Sequence, residues 1–171
     1  MMEPWQIEEC LQSMTILVDT REQPSERARK RYDAFSCPWR RQKLDYGDYS
    51  ATFKLNDSEI QIKAAIERKM NLEELSSCFC QGRDRFKREF ERAVEDHASV
   101  YLMVENANWE KLLNGHYNTK FNSNAFKASL LAWIARYDLK PIFCRSEVSS
   151  QLIQEILYRE LKERLERGDY G

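Results

Sequence analysis

The chain has 171 residues, enough for one domain with a full hydrophobic core, and we expect a single domain over residues 1–171. It is 42% hydrophobic and 32% charged, which is ordinary for a globular protein. Its apolar runs are far too short to cross a membrane, and the N-terminal residues lack the pattern of a signal peptide. The formal net charge of −1 does not by itself indicate binding to nucleic acid.

The first half of the chain predicts three strands. Residues 14–18 form a short apolar run, which predicts a buried strand. Residues 20–38 are polar and basic, which predicts a loop with a short helix in its basic stretch. Residues 45–53 and 59–66 carry aromatic, β-branched or alternating side chains, and we expect two antiparallel strands joined by a turn at residues 56–57.

The second half alternates helices with strands. Apolar residues at helical spacing predict helices over residues 71–80, 83–97, 109–113, 123–137 and 146–167. Two apolar runs predict strands over residues 99–104 and 140–144. Ser123 is the expected N-cap of its helix. This order of elements predicts an α/β fold, a three-layer sandwich in which helices flank a mixed central β-sheet.

The cysteines are expected to be free thiols in a reducing compartment. No CxxC pair occurs, and thiols two positions apart on a helix point in different directions. With only two histidines, a zinc site has few available ligands. The five cysteines are Cys10, Cys37, Cys78, Cys80 and Cys144.

Basic residues concentrate in two segments despite the balanced net charge. Seven lie between Arg27 and Lys43, and five lie between Arg83 and Arg92. Such clusters predict a polarised surface. The alternative interpretation is a pair of solvated faces with local salt bridges.

Three short segments place acidic residues at or near the ends of predicted strands. They are residues 18–22 (VDTRE), 46–49 (YGDY) and 66–69 (IERK). Burying a carboxylate is costly unless it is paired or binds a metal. Each segment is weak evidence alone, but together and in this order they predict a functional site.

These residue types suit the cleavage of a phosphodiester bond. Carboxylates hold Mg²⁺, which polarises a phosphoryl oxygen and lowers the pKa of a bound water. Glu67 and Lys69 are separated by one residue, Arg68. On a strand the two therefore share a face, whereas Arg68 faces the other way. Asp48 can supply a second carboxylate. Lys69 can orient or deprotonate the water, or stabilise charge that develops on the phosphate.

The combined segments resemble the nuclease domain of the XPF-type structure-specific endonucleases, in the PD-(D/E)XK superfamily. The family pattern is GD, a variable insert, ERK, three residues and an acid. Here Asp48 ends the GD pair, residues 49–66 are the insert and residues 67–69 are ERK. Glu73 stands where the family usually has Asp. The resemblance covers roughly residues 16–161 and implies a restriction-endonuclease-like fold.

The resemblance implies roles for the acids and the lysine. Asp48 and Glu67 would bind Mg²⁺ or Mn²⁺. Asp19, as a further metal ligand, and Glu22 would complete the acidic cluster. Lys69 would be the catalytic lysine.

The resemblance also implies roles for arginines. Arg68 would support the site among the catalytic residues, and Arg83 matches the family's Gly-Arg and would lie near the DNA. We expect six basic residues to line the approach of DNA: Arg40, Arg41, Lys43, Arg83, Arg85 and Lys87.

The resemblance implies a metal-dependent DNA endonuclease that cuts branched or junction DNA in repair, recombination or phage DNA processing. One alternative is a non-catalytic DNA-binding or partner subunit with the same fold, and another is an unrelated α/β structural protein. The intact acids and lysine favour the enzyme. We expect a cytoplasmic location in a bacterial or phage-infected cell, or a nuclear one in a eukaryote.

DNA is the expected partner, and no membrane partner is expected. Family enzymes usually carry a tandem helix-hairpin-helix domain, so this nuclease either stands alone or works with a separate DNA-binding subunit. The resemblance also implies a homodimer, since related nuclease domains pair. A separate reason is that the last two helices carry many large apolar residues, which would form an exposed patch if some face outward. The alternative is a monomer whose helices cover the sheet. The patch residues would be Phe126, Leu130, Trp133, Ile134, Ile153, Ile156 and Leu157.

Overall fold

The computed structural model describes residues 2–170. Met1 and Gly171, which the predicted domain 1–171 includes, lie outside the described residues. Within residues 2–170, seven strands form a mixed sheet accompanied by seven α-helices, so the predicted α/β fold with a mixed sheet is confirmed. Within this range, none of the helices combines the length and the apolar character needed to cross a bilayer. All five cysteines are free thiols, as predicted.

The described part of the chain divides into two compact units. The first contains the residues up to Leu44, the segment Asp48–Ala65 and the residues from Ser150 onward. The second contains Asp45–Gly47 and Ile66–Ser149. The assignment of the whole chain to one domain stays a prediction.

The first unit contains the elements of the first part of the chain and nearly all of the last helix. They are α1 (Pro4–Gln12), β1 (Thr15–Val18), α2 (Glu26–Asp33), β2 (Trp39–Arg41), β3 (Tyr49–Leu55), β4 (Ser58–Gln61), the start of β5 (Ala64–Lys69) and α7 (Ser149–Arg167) from its second residue onward. Three consecutive strands of the sheet follow the order β2-β1-β3. Strand β1 runs parallel to β2 and antiparallel to β3, and β4 pairs with β3 in an antiparallel hairpin.

The predicted hairpin turn is present, but the predicted strand 59–66 is interrupted. Asn56 and Asp57 both have positive φ, which these residue types tolerate in a two-residue hairpin turn. The break falls at Lys63, between β4 and β5. There the backbone N–H donates to the Tyr170 hydroxyl at 3.1 Å, and the carbonyl accepts from Arg164 at 2.7 Å. Side chains from the end of the chain therefore replace the ladder bonds that would continue one strand.

Two elements of the first unit are absent from the sequence expectations. Helix α1 begins with Pro4 in its first turn and a capping box between Glu3 and Gln6. Strand β2 has only three residues and pairs with β1. It follows the segment 20–38 expected to be loop, in residues for which the sequence predicts no element. Helix α1 is marked in the sequence by its proline and its capping box, whereas β2 is a strand because it pairs with β1.

The second unit contains the end of β5 and the elements that follow it. They are α3 (Leu72–Cys78), α4 (Arg83–Glu95), β6 (Ser99–Glu105), α5 (Trp109–Leu113), α6 (Ser123–Tyr137) and β7 (Lys140–Cys144). Strand β6 runs parallel to β7. Asn122, rather than Ser123, is the N-cap of α6, because its side chain accepts from two backbone N–H groups of the first turn. A 3-10 turn, Ser146–Val148, precedes α7, so the predicted helix 146–167 begins later.

An aromatic cluster forms the core of the second unit. Trp133 of α6 is 1% exposed, and its ring centroid lies 4.6 Å from that of Phe79, 5.7 Å from that of Phe86 and 5.9 Å from that of Phe90. The helices α3, α4 and α6 therefore pack through one continuous set of rings.

This packing overturns the expected apolar patch. Phe126, Leu130 and Trp133 of α6 are buried in the second unit, and Ile153 and Leu157 of α7 are buried in the first. The prediction of an exposed patch is wrong for these five side chains, which form intramolecular cores, and the other two predicted members, Ile134 and Ile156, are half-buried. The homodimer stays a prediction that rests on the family resemblance alone.

Truncation of the central ring tests the aromatic core. Trp133→Ala should lower the free energy of unfolding by about 3–5 kcal/mol, since it removes a large buried side chain and leaves a cavity. Trp5→Ala is the control, because Trp5 is 61% exposed, and its effect should stay within about 0.5 kcal/mol. Urea unfolding followed by circular dichroism measures both. Equal midpoints for the two variants would contradict the assigned core.

Candidate active site

Asp19, directly after β1, is a buried hub of hydrogen bonds in the first unit. It is 1% exposed. One carboxylate oxygen accepts from the backbone N–H and the Nε of Arg21, at 2.7 and 2.9 Å. The other accepts from the Leu44 N–H at 2.8 Å. Burial raises the pKa of Asp19, but the bonds from Arg21 and Leu44 and the charge of Arg21 outweigh it and hold the pKa below its usual value.

Glu22, three residues later, is held by two tyrosines. Its carboxylate accepts from the Tyr32 hydroxyl at 2.8 Å and from the Tyr49 hydroxyl at 2.9 Å. A guanidinium nitrogen of Arg31 lies 4.0 Å away. Burial and the neighbouring carboxylate raise the pKa of both tyrosines, which therefore act as neutral donors.

Both acids of the first motif fix the backbone around Asp48. The N–H of Asp19 donates to the carbonyl oxygen of Asp48 at 2.9 Å. Glu22 holds the hydroxyl of Tyr49, the residue that follows Asp48 and is completely buried. The preceding residue, Gly47, has a φ of 74°, which glycine adopts without strain. Asp19 and Glu22 therefore hold the backbone on both sides of the Asp48 side chain, which itself is half-buried.

Glu67 and Lys69 form an ion pair at the end of β5, in the second unit. The Lys69 Nζ lies 2.7 Å from a Glu67 carboxylate oxygen. The Lys69 side chain is 12% exposed and the Glu67 side chain is 6% exposed. As expected for residues two positions apart on a strand, they lie on the same face. The short, shielded contact fixes the position of a cationic group beside a carboxylate.

Two further residues surround this pair. The Lys69 Nζ lies 5.2 Å from the ring centroid of Phe86 in α4, within the range of a cation–π contact. Cys78 of α3 is also close enough to interact with Lys69. Burial raises the pKa of the Cys78 thiol, although the charge of Lys69 opposes this. Neither neighbour could be identified from the sequence, because both contacts depend on helix packing.

Arg68 faces away from the pair and bonds to β6. Its Nε and a terminal nitrogen reach the two oxygens of Glu105 at 2.7 and 2.8 Å. Glu105 is almost completely buried and Arg68 is 17% exposed. This bidentate pair fixes β5 against β6 and thereby orients the face that carries Glu67 and Lys69.

Glu73, at the final acid of the motif pattern, anchors a loop. Its carboxylate accepts from the Asn118 backbone N–H at 3.0 Å. A second contact joins the hydroxyls of Ser76 and Thr119 at 2.8 Å. The loop after α5 is thus tied to the helix that follows Lys69.

The predicted basic residues of the first unit differ in their surroundings. Arg40 is paired with the carboxylate of Glu59. Arg41 donates to the carbonyl oxygens of Thr20 and Glu22 at 2.8 and 2.7 Å, while remaining exposed. Lys43 is exposed. Arg40 is therefore the least available of the three for a phosphate.

The predicted basic residues of the second unit lie on α4. Arg83 lies over the Trp133 ring, 5.2 Å from its centroid, and contacts the Ser129 hydroxyl at 3.3 Å. Lys87 forms a surface pair with Glu91 at 3.4 Å. Arg85 is exposed. Arg83 thus contributes to packing as well as to surface charge.

The acids differ in their fitness to hold a metal ion. Among residues 2–170, no group of three or more His, Cys, Asp or Glu side chains is arranged around a metal position. Both oxygens of Asp19 and both oxygens of Glu22 accept hydrogen bonds that hold the fold, and one oxygen of Glu67 contacts the Lys69 Nζ. Carboxylates such as Asp48 and Glu67 are hard donors, and Mg²⁺ usually needs only one or two of them, with water and phosphate completing its shell. The donor chemistry of these two residues fits Mg²⁺.

The charge of Asp19 should make a pH-dependent contribution to stability. Asp19→Asn should lower the free energy of unfolding by about 2 kcal/mol near neutral pH, since bonds to a charged group are lost. Because the folded-state pKa is depressed, this stabilisation is present above the unfolded-state pKa and disappears as pH falls through the folded-state value. The difference in the free energy of unfolding between wild type and Asp19→Asn should therefore become smaller at acidic pH. Urea unfolding across pH tests this, with exposed Asp57→Asn as control; a gap independent of pH would contradict it.

Comparison with known proteins agrees with this architecture. A family model described as the ERCC4 domain matches residues 18–156. No curated protein matches the chain. Among solved structures, XPF from Aeropyrum pernix matches with a TM-score of 0.60 and 15% identity, over 91% of this chain and 69% of that one. XPF from Aeropyrum pernix in complex with DNA matches with a TM-score of 0.59 and 18% identity, over 88% and 66%.

At these identities the structural matches show a shared fold, and this chain spans about two thirds of the length of those chains. The family model covers most of the sequence, including all three acidic motifs. The chain belongs to the ERCC4 domain family.

Proposed function

We propose that this protein is a metal-dependent endonuclease that hydrolyses phosphodiester bonds of DNA, with Asp48, Glu67 and Lys69 as its catalytic residues. The observation that carries the proposal is the shielded Glu67–Lys69 pair at the end of β5, in a chain with an ERCC4 domain. A buried ion pair seldom contributes more to stability than well-packed apolar residues would, because both charges must be removed from water. Its presence therefore favours a functional role.

In this proposal Asp48 and Glu67 hold Mg²⁺ or Mn²⁺. The bound ion would polarise a phosphoryl oxygen and generate a nucleophilic water at neutral pH. Asp19 and Glu22 keep Asp48 in place through its backbone and through Tyr49. These contacts favour positioning roles for Asp19 and Glu22, and the metal-ligand role that the resemblance implies for Asp19 is the alternative.

Lys69 contributes electrostatic stabilisation. Its ammonium group is held beside Glu67, shielded from solvent, with Phe86 on another side. A fixed cation in such surroundings can donate a hydrogen bond to a non-bridging phosphate oxygen and stabilise the negative charge of the transition state. Arg68 acts through Glu105 on the orientation of β5 and is a positioning residue.

The substrate we propose is branched DNA or DNA with a junction between duplex and single strand. Support comes from family membership and from the match to an XPF structure in complex with DNA. A non-catalytic DNA-binding subunit is the alternative, and activity measurements separate the two. Cleavage of labelled fork, flap, nicked and four-way substrates with Mg²⁺ or Mn²⁺ tests the proposal, and no cleavage of any substrate with either ion would favour the alternative.

Substitution of Lys69 should separate cleavage from binding. Lys69→Ala should slow cleavage on the order of 10²-fold or more, as expected when a transition-state charge partner is lost. DNA binding without divalent metal should change little. Lys69→Gln, which keeps a donor for Glu67, should be equally inactive, and exposed Lys54→Ala should be fully active. Single-turnover rates and binding titrations measure these effects, and a parallel loss of binding and cleavage would make Lys69 a general phosphate contact.

Removal of single carboxylates should identify the metal ligands. Asp48→Asn and Glu67→Gln should weaken Mn²⁺ binding measured by electron paramagnetic resonance, because each removes a charged oxygen donor. Asp57→Asn should bind Mn²⁺ like the wild type. Ca²⁺ should bind but support little cleavage. If Asp48→Asn and Glu67→Gln both bind Mn²⁺ as tightly as the wild type, these two residues are not the metal ligands.

A further inference from the structure

Strand β2, at the edge of the sheet in the first unit, presents an aromatic and basic stripe. It pairs with β1, and its residues alternate between two faces. Trp39 and Arg41 lie on one face, and Lys43 continues the same alternation just beyond the strand. All three side chains are exposed, with Trp39 at 37%. Arg40 lies on the other face, paired with Glu59.

The Trp39 ring rests on a rigid support. Its centroid lies 4.8 Å from that of Tyr32, which is 4% exposed. The Tyr32 hydroxyl is held by Glu22, whose other oxygen is held by the completely buried Tyr49. The ring of Trp39 is therefore backed by a fixed aromatic side chain and a satisfied hydrogen-bond network, so little ordering is needed before a ligand stacks on it.

The segment of sequence that carries the stripe is rich in basic residues. Between Arg27 and Lys43 the sequence has seven basic residues and one acid, Asp33. Glu22, whose carboxylate accepts from the Tyr32 hydroxyl, is also engaged by Tyr49 and by Arg31. A fixed aromatic surface flanked by cations matches the bases and phosphates of a nucleic-acid strand.

We propose that β2 is a binding site for an unpaired DNA strand, in which Trp39 stacks on a base and Arg41 and Lys43 contact the adjacent phosphates. The proposal deepens the proposed function, since it takes DNA as the partner and adds a preference for single-stranded segments. Stacking on Trp39 requires a base whose face is exposed, and bases within a duplex are already stacked. A site of this kind would favour substrates in which duplex meets single strand.

Pairing of the β2 edge with another polypeptide strand is the competing use of this surface. Bulky and charged side chains on an edge strand oppose such pairing. Charge complementarity favours DNA instead. Binding of a peptide strand would depend on backbone hydrogen bonds and would survive loss of the Trp39 ring.

The test compares two exposed tryptophans in the full-length protein. Fluorescence anisotropy, with EDTA present so that nothing is cleaved, gives the affinity for a labelled oligothymidine and for a duplex of equal length. Trp39→Ala should weaken binding of the oligothymidine about tenfold, as expected for loss of one stacked base, and affect the duplex much less. Trp5→Ala, which removes the 61% exposed tryptophan of α1, should change neither affinity.

Two further readouts are specific to stacking and to phosphate contact. Oligothymidine should quench tryptophan fluorescence in the wild type and in Trp5→Phe, and the quenching should be largely lost in Trp39→Phe, which keeps a ring and the fold. Lys43→Gln should reduce the slope of log K against log salt concentration by about 0.7, with exposed Lys54→Gln as the unchanged control.

Equal oligothymidine affinities for Trp39→Ala and Trp5→Ala would overturn the proposal, as would an equal loss of duplex and single-strand binding in Trp39→Ala. Because binding is measured without metal, a protein that binds through Trp39 but never cleaves DNA would contradict the proposed nuclease function while leaving this site intact. A protein that cleaves DNA but binds oligothymidine equally well with and without the Trp39 ring would contradict this site and leave the proposed nuclease function intact.

Discussion

A buried carboxylate must find partners for its oxygens, and this requirement organises both units. In the first unit Asp19 is satisfied by Arg21 and the Leu44 N–H. In the second, Glu67 is paired with Lys69, and Glu105 is paired with Arg68. Each of these acids would cost several kcal/mol if left alone, so each partner is necessary for the fold as well as for any chemistry.

The partners divide the acids into two kinds. Asp19 and Glu22 accept bonds from the backbone, an arginine and two tyrosines, and these contacts lock the chain around Asp48. Glu67 is paired with a lysine, the residue suited to act on a phosphate. Glu22 links the two proposals. It holds Tyr49, next to Asp48, and it also holds Tyr32, which supports the Trp39 ring of the proposed β2 site.

The sequence predicted the elements that carry local signals. The hairpin turn at Asn56 follows from a residue type that tolerates positive φ, and the shared face of Glu67 and Lys69 follows from strand alternation. The break at Lys63 could not be predicted, because its partners lie about a hundred residues later in the chain. The bidentate partner of Arg68 and the burial of the α6 apolar face likewise depend on tertiary packing.

The most direct test of the account is a crystal structure of the full-length protein with Ca²⁺ and a junction DNA, in which binding proceeds without rapid cleavage. We expect an ion coordinated by oxygens of Asp48 and Glu67 at about 2.3–2.6 Å, with a phosphate oxygen in its shell. Asp19 and Glu22 should keep their present partners. An ion bound by Asp19 or Glu22, or a bound DNA with no ion near Asp48 and Glu67, would contradict it.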